Sequence, residues 1–221
     1  MNLQETTYWL ADLLPGEFTT TRRRVSQSFP EFTVAELRLG GDDSDGADPA
    51  DGADPADPAD AETVAATLDA ARIEPHLVTE DGSDLRVEFI TVTTGHGRTA
   101  PDLVMAAATM ISKDPIQLSP QPGLLLPELG WHVDETITAR HGLLVPPFLW
   151  EDGVPNVHEV NFGGRHGGGT RHEFTHPGRM TVYAQLVMLT DEEYQVALDG
   201  GPTAAQQMLA TTQANLNDVW R

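Results

Sequence analysis

The sequence predicts one folded domain that mixes strands with helices and spans residues 1–221, and three observations predict it. A chain of 221 residues with 39% hydrophobic content can bury one proper core. Two segments, "DLRVEFITVTT" (Asp84 to Thr94) and "RMTVYAQLVML" (Arg179 to Leu189), are apolar on both alternations, as strands covered on both faces are. Each leads into a helix-start pattern, T-x-x-D from Thr99 and T-D-E-E from Thr190. There is no cysteine, which rules out disulfides, iron–sulfur clusters and thiol catalysis and fits a reducing compartment.

In chain order, "TTYWLADLLP" reads as a short amphipathic helix closed by Pro15, with Trp9 and Leu13 four apart in the core. Residues 42–61, built of Ala-Asp-Pro repeats with almost no apolar mass, cannot offset the entropy of ordering and read as a disordered acidic insertion. The repeats offer no aromatic or aliphatic anchor, so a solvated spacer is expected rather than a recognition segment. Asp60 is placed to cap a helix over "AETVAATLDAAR", where Val64, Leu68 and Ala71 share a face. Asp84 to Thr94 is the central strand. The turn "GHGRTAP" follows, with His96 as a turn histidine rather than a ligand, and then a helix with Leu103, Ala107, Met110 and Ile111 on one stripe.

From Pro115 to Pro127 the chain is extended connection. "ITARHGLLVPPFLW" is a strand stopped by Pro146 and Pro147, with His141 a satisfied core or edge histidine. His158 and Glu159 could polarise a water, but they lack a fixed third partner and read as ordinary strand or loop residues. Residues 163–178 form a Gly/His-rich loop. The strand from Arg179 ends at Thr190, which caps the Glu193 amide while Glu193 reaches back. Tyr194, Ala197 and Leu198 make an apolar stripe, and Gly200-Gly201-Pro202 ends that helix and opens the next. The final helix, "TAAQQMLATTQANLNDVW", places Ala205, Met208, Leu209, Thr212, Leu216 and Val219 on one face; its other face is polar and mostly uncharged.

Inside the Gly/His loop, His172, Glu173 and His176 spell the H-E-x-x-H pattern of zinc proteases. That chemistry needs a helix, because histidines four apart reach one Zn²⁺ only from a shared face, with the glutamate as general base. Gly167 to Gly169 precede the motif, and Pro177 pushes His176 out of the α region, so only about one turn of helix could form. The downstream carboxylates Glu192 and Glu193 are explained by the cap. No metal or other cofactor is therefore expected; a metal-dependent hydrolase using His172, Glu173 and His176, with His158 or His166, stands as the alternative. The loop's three histidines, with Arg165, Arg171 and the flanking Arg179, could also hold an anion or grip a partner. There is no P-loop, no G-x-S-x-G elbow and no dinucleotide fingerprint.

Charge narrows the partners. Asp and Glu number 34 against 13 Lys and Arg, a net −21. Nine of the acids lie in residues 42–62, and without them the balance is still 25 against 13. Such a field repels nucleic acid and anionic membrane and speeds encounter with a basic protein. Compositional bias of the genome, with Lys113 the only lysine, is the other source of such acidity. No stretch approaches the ~18 apolar residues of a membrane span, and the start lacks a signal-peptide pattern, so a soluble cytoplasmic protein is expected.

The order of features after Arg179, a strand of "LVML" type, the "TDEE" cap, a helix, a glycine-bounded turn, a second helix and a terminal arginine, resembles the C-terminal stretch of the suppressor of fused family. "ARHGLLVPPFLW" is similar to that family's "LLL-PP" strand, and "GRTAPDLVMAAATMIS" occupies the place of its helix after the central strand. The resemblance covers roughly residues 85–221; Met188 stands where the family has a proline. It implies an α+β domain with a central mixed, largely antiparallel sheet flanked by helices. It also implies a non-enzymatic role in protein binding, without catalytic residues. Short bacterial members are read as immunity proteins that block a toxin of a polymorphic toxin system, which for this chain implies a basic toxin encoded nearby; animal members sequester a transcription factor, and a regulator of that kind stands as a further alternative.

Overall fold

In a computed structural model the described residues are 1–39, 61–151, 153–159 and 178–221. The insertion at 42–61 and the Gly/His loop at 163–178 thus lie outside them, save Ala61 and Gly178. Helix α1 (Leu3–Leu13) is followed by strands β1 (Thr19–Arg23), β2 (Phe32–Leu39), β3 (Glu62–Thr67), β4 (Leu77–Val78) and β5 (Asp84–Thr94). Then come α2 (Thr99–Lys113), β6 (Leu125–Leu126), β7 (His141–Val145), β8 (Asn156–Glu159), β9 (Arg179–Leu189) and α3 (Asp191–Thr212). Among the described residues nine strands form one open sheet, in the order β1-β2-β3-β5-β9-β7-β6, with β4 added to β5 and β8 to β9. Only β5 and β9 run parallel, from Asp84 opposite Arg179 to Ile90 opposite Gln185; the other pairs are antiparallel. The architecture is α+β, a single domain around a mixed, largely antiparallel sheet.

The double alternation of β5 and β9 is explained by cover on both faces. Val87 and Phe89 of β5, with Ala184, Leu186 and Met188 of β9, pack under α2 through Leu103, Ala107 and Ile111. The intervening residues point the other way. Ile90, Val92 and Tyr183 meet Leu10 and Trp9 of α1, while Val187 and Leu189 meet Ala197, Ala205 and Leu209 of α3. Helix α2 thus lies on one side of the sheet, with α1 and α3 on the other. No helix among the described residues is long and apolar enough to cross a membrane.

Three expectations are corrected. The helix expected over 61–72 is strand β3 followed by a 3-10 turn, Ala70–Arg72. Its alanines favour a helix, but β2 and β5 bind both edges of the segment, and Val64 and Ala66 face one core while Ala65 faces the other. Tertiary pairing overrides propensity here. Second, α3 ends at Thr212, with Gln213 in the left-handed conformation (φ 51°). Val219 then crosses to the α2 side of the sheet, whereas Leu209 and Leu216 stay on the α3 side, so the single apolar stripe does not exist. Third, Thr99 does not cap α2; Arg98 occupies that position without a side-chain bond. The Thr190–Glu193 box forms as expected, and Gly201 (φ 78°) with Pro202 kinks α3 at the anticipated place.

Candidate partner-binding site

The histidines singled out in the sequence, with Glu159 and Glu173, divide into those outside the described residues and those engaged in structural contacts. His166, His172, Glu173 and His176 belong to the first group. His158 and Glu159 are neighbours on β8 and diverge: the His158 Nε2 meets Ser83 Oγ at 2.7 Å, while the buried Glu159 pairs with the N-terminal ammonium of Met1. His96 stacks edge-on against Trp220 at 5.4 Å. Among the described residues no group of three or more His, Asp or Glu side chains converges as a metal site.

Among the described residues His141 is the most heavily engaged histidine. Its Nδ1 accepts the Glu128 N–H at 3.1 Å, so Nε2 carries the proton and donates to Asp191 at 3.0 Å. The ring lies flat on Tyr194, centroids 4.0 Å apart. Arg140 grips both oxygens of Asp191 at 2.9 and 2.6 Å. The bonds from His141 and Arg140 hold the Asp191 carboxyl below the usual carboxylate range. Asp191 opens α3, where a negative charge is favoured by the helix dipole. The cluster locks β7 to the start of α3 and leaves no reactive group free.

Two cavities are open among the described residues: a polar one lined by Glu135, Thr136, Arg140, Asp191, Glu192 and Arg221, whose Arg140 and Asp191 already pair with each other, and an apolar one. A groove of ≈ 630 Å³ runs between the end of β7 and the second half of α3, lined by Leu143, Val145, Pro146, Pro147, Phe148 and Val187 on the sheet side and by Leu209, Ala210, Ala214 and Leu216 on the other. The kink at Gly201 redirects α3 across this end of the sheet, and Gly123 permits the approach: a Cβ there would sit 2.9 Å from Pro202 Cγ. The two prolines stop β7, and the chain leaves the sheet with Phe148 57% and Leu149 38% exposed. Phe148 is nonetheless anchored, its N–H donating to Gln185 Oε1 at 3.1 Å, and Trp150 turns back to donate to the Leu13 carbonyl at 3.1 Å. Gln206 and Gln213 supply the polar lining. In a chain with 34 acids, no charged residue lies between Asp199 and Asp218. Both signals, the uncharged final segment and the apolar "PPFLW", stand in the sequence; only the fold brings them together.

No family model and no curated protein sequence matches the chain. Solved structures do. The suppressor of fused (SUFU) homolog from Neisseria gonorrhoeae FA 1090 superposes with a TM-score of 0.57 at 12% identity, over 99% of this chain and 93% of that one. A chain of the Sufu–Fu complex crystal structure gives a TM-score of 0.57 at 11% identity, over 98% of this chain and 89% of that one. Similarity at such identity speaks for the backbone architecture, and that architecture is suppressor-of-fused-like.

Proposed function

We propose that this chain is a non-catalytic protein-binding domain of suppressor-of-fused type, acting in the cytoplasm as a bacterial immunity protein that neutralises a cognate toxin by occlusion. The observation that carries the binding role is the groove: an apolar, charge-free site beside an exposed Phe148, in an otherwise strongly acidic protein. Depletion of charge with exposed aromatic residues marks the buried centre of protein interfaces. The fold supports the same reading, since a protein of this architecture has been crystallised as the Sufu–Fu complex. The net charge of −21 supports a basic partner, drawn in by long-range attraction before the apolar contact forms.

Neutralisation by occlusion requires a tight surface and no chemistry. Co-expression tests it. A host that stops growing when the product of the adjacent gene is induced resumes growth when this chain is made with it, and Phe148→Ala weakens the rescue. Continued arrest with soluble chain present contradicts the immunity role.

A further inference from the structure

We infer that the groove between β7 and the second half of α3 receives the apolar face of an amphipathic segment of a basic protein, with that segment's lysines or arginines turned toward the surrounding acidic surface. The inference rests on the protein-binding reading above and names what the site takes. Its interior, from Leu143 and Val145 to Leu209 and Ala210, offers no ionic partner, so what enters must be apolar. Gln206 on α3 and Gln213 at its C-cap stand seven residues apart, about 10 Å at the rise of a helix, which matches two turns of a partner helix with anchors at i, i+3 or i+4, and i+7. Their amides both donate and accept, so they can satisfy polar groups flanking the anchors without desolvating a charge.

Charge selects among occupants. A second copy of this chain would bring another −21 to the same face, so self-association is opposed by the field that favours a basic partner. Asp199 and Asp218 bound the uncharged run, and Glu151 follows Phe148 by three residues, so acidic groups border the site in the chain without entering it.

The test uses the full chain and two synthetic peptides of equal charge, one an amphipathic helix of leucine and lysine, the other with every leucine replaced by serine. Binding is followed by nuclear magnetic resonance at high salt, where charge attraction is screened. The leucine peptide is expected to bind, with shifts centred on residues 143–148 and 206–214, and the serine peptide is not. Phe148→Ala and Ala210→Gln each weaken the leucine peptide roughly tenfold. Leu198→Ala, an exposed apolar position on the first half of α3 outside the groove, leaves it unchanged. Phe148 and Ala210 are both solvent-exposed, so their variants are expected to fold, which circular dichroism checks. Equal binding of the two peptides, or equal binding by all variants, overturns the inference, as does a dimer of the free chain that Phe148→Ala disperses. Because the peptides need no cognate toxin, failed growth rescue with selective groove binding strikes the immunity reading alone.

Discussion

Glu88 lies at the centre of the sheet with no exposed surface, yet it is surrounded by donors: the Thr67 hydroxyl at 2.5 Å and the Ala70 and Ala71 amides at 3.0 and 3.1 Å. Burial outweighs these bonds and pushes its carboxyl from 4.5 up to about 7. Burial, with the Glu88 charge beside it, also pushes the Tyr183 phenol up. The sign of the linkage follows. Below pH ~4.5 the group is protonated in both folded and unfolded chains; as pH rises toward 7 the unfolded chain releases a proton that the folded chain retains. Its contribution is therefore fully present in acid and is lost as pH climbs through about 7, a loss on the order of 3 kcal/mol. Urea unfolding of wild type and Glu88→Gln across pH 4.5 to 7.5 reads this out: the wild type loses stability relative to the variant as pH rises. Parallel curves would contradict it. None of this was legible in the sequence, where "VEFITV" shows a glutamate in a strand. Two of its three donors, the Ala70 and Ala71 amides, come from a turn inside a segment that looked helical.

At the scale of elements, the close fit of β7 makes a sharp test. A Cβ at Gly142 would lie 2.9 Å from Leu186 Cδ1, 3.0 Å from Leu129 Cδ2 and 3.2 Å from Leu126 Cβ. Gly142→Ala is therefore expected to cost roughly 1–3 kcal/mol by overpacking and to lower the melting temperature by several degrees. An unchanged melting temperature would show that the three leucines repack freely. The elements that could be read from the sequence carry their own local signature: the double alternation of β5 and β9, the Thr190–Glu193 box of α3, and the proline stop of β7. Those that could not depend on neighbours. β3 is alanine-rich and is a strand only because β2 and β5 flank it. Edge strand β1, "TTTRR", is almost wholly exposed and shows no apolar alternation. The end of the chain was misjudged for a related reason. Leu216 and Val219 fit a helical stripe by spacing, but Gln213 breaks the helix and lets the two side chains seat on opposite sides of the sheet.

For the whole molecule, three properties combine: a suppressor-of-fused-like architecture, a net charge of −21, and an uncharged run from Gly200 to Asn217 that is the longest in the chain. The architecture bends α3 so that this stretch borders the groove beside Phe148. In the proposed complex, long-range attraction and short-range apolar contact are separated in space, the first spread over the acidic surface and the second confined to the groove. The groove was only half legible in the sequence, because its two walls lie about sixty residues apart and meet through the β7–β9 pairing. The measurement that bears most directly on the protein-binding claim is a calorimetric titration of this chain against the product of the adjacent gene at low and high salt. The account predicts nanomolar binding that weakens with salt, because charge steers the encounter, yet persists at high salt, because the groove supplies apolar contact. Absence of binding to that product at either salt would contradict it and direct attention to the zinc content of the H-E-x-x-H segment at His172, Glu173 and His176.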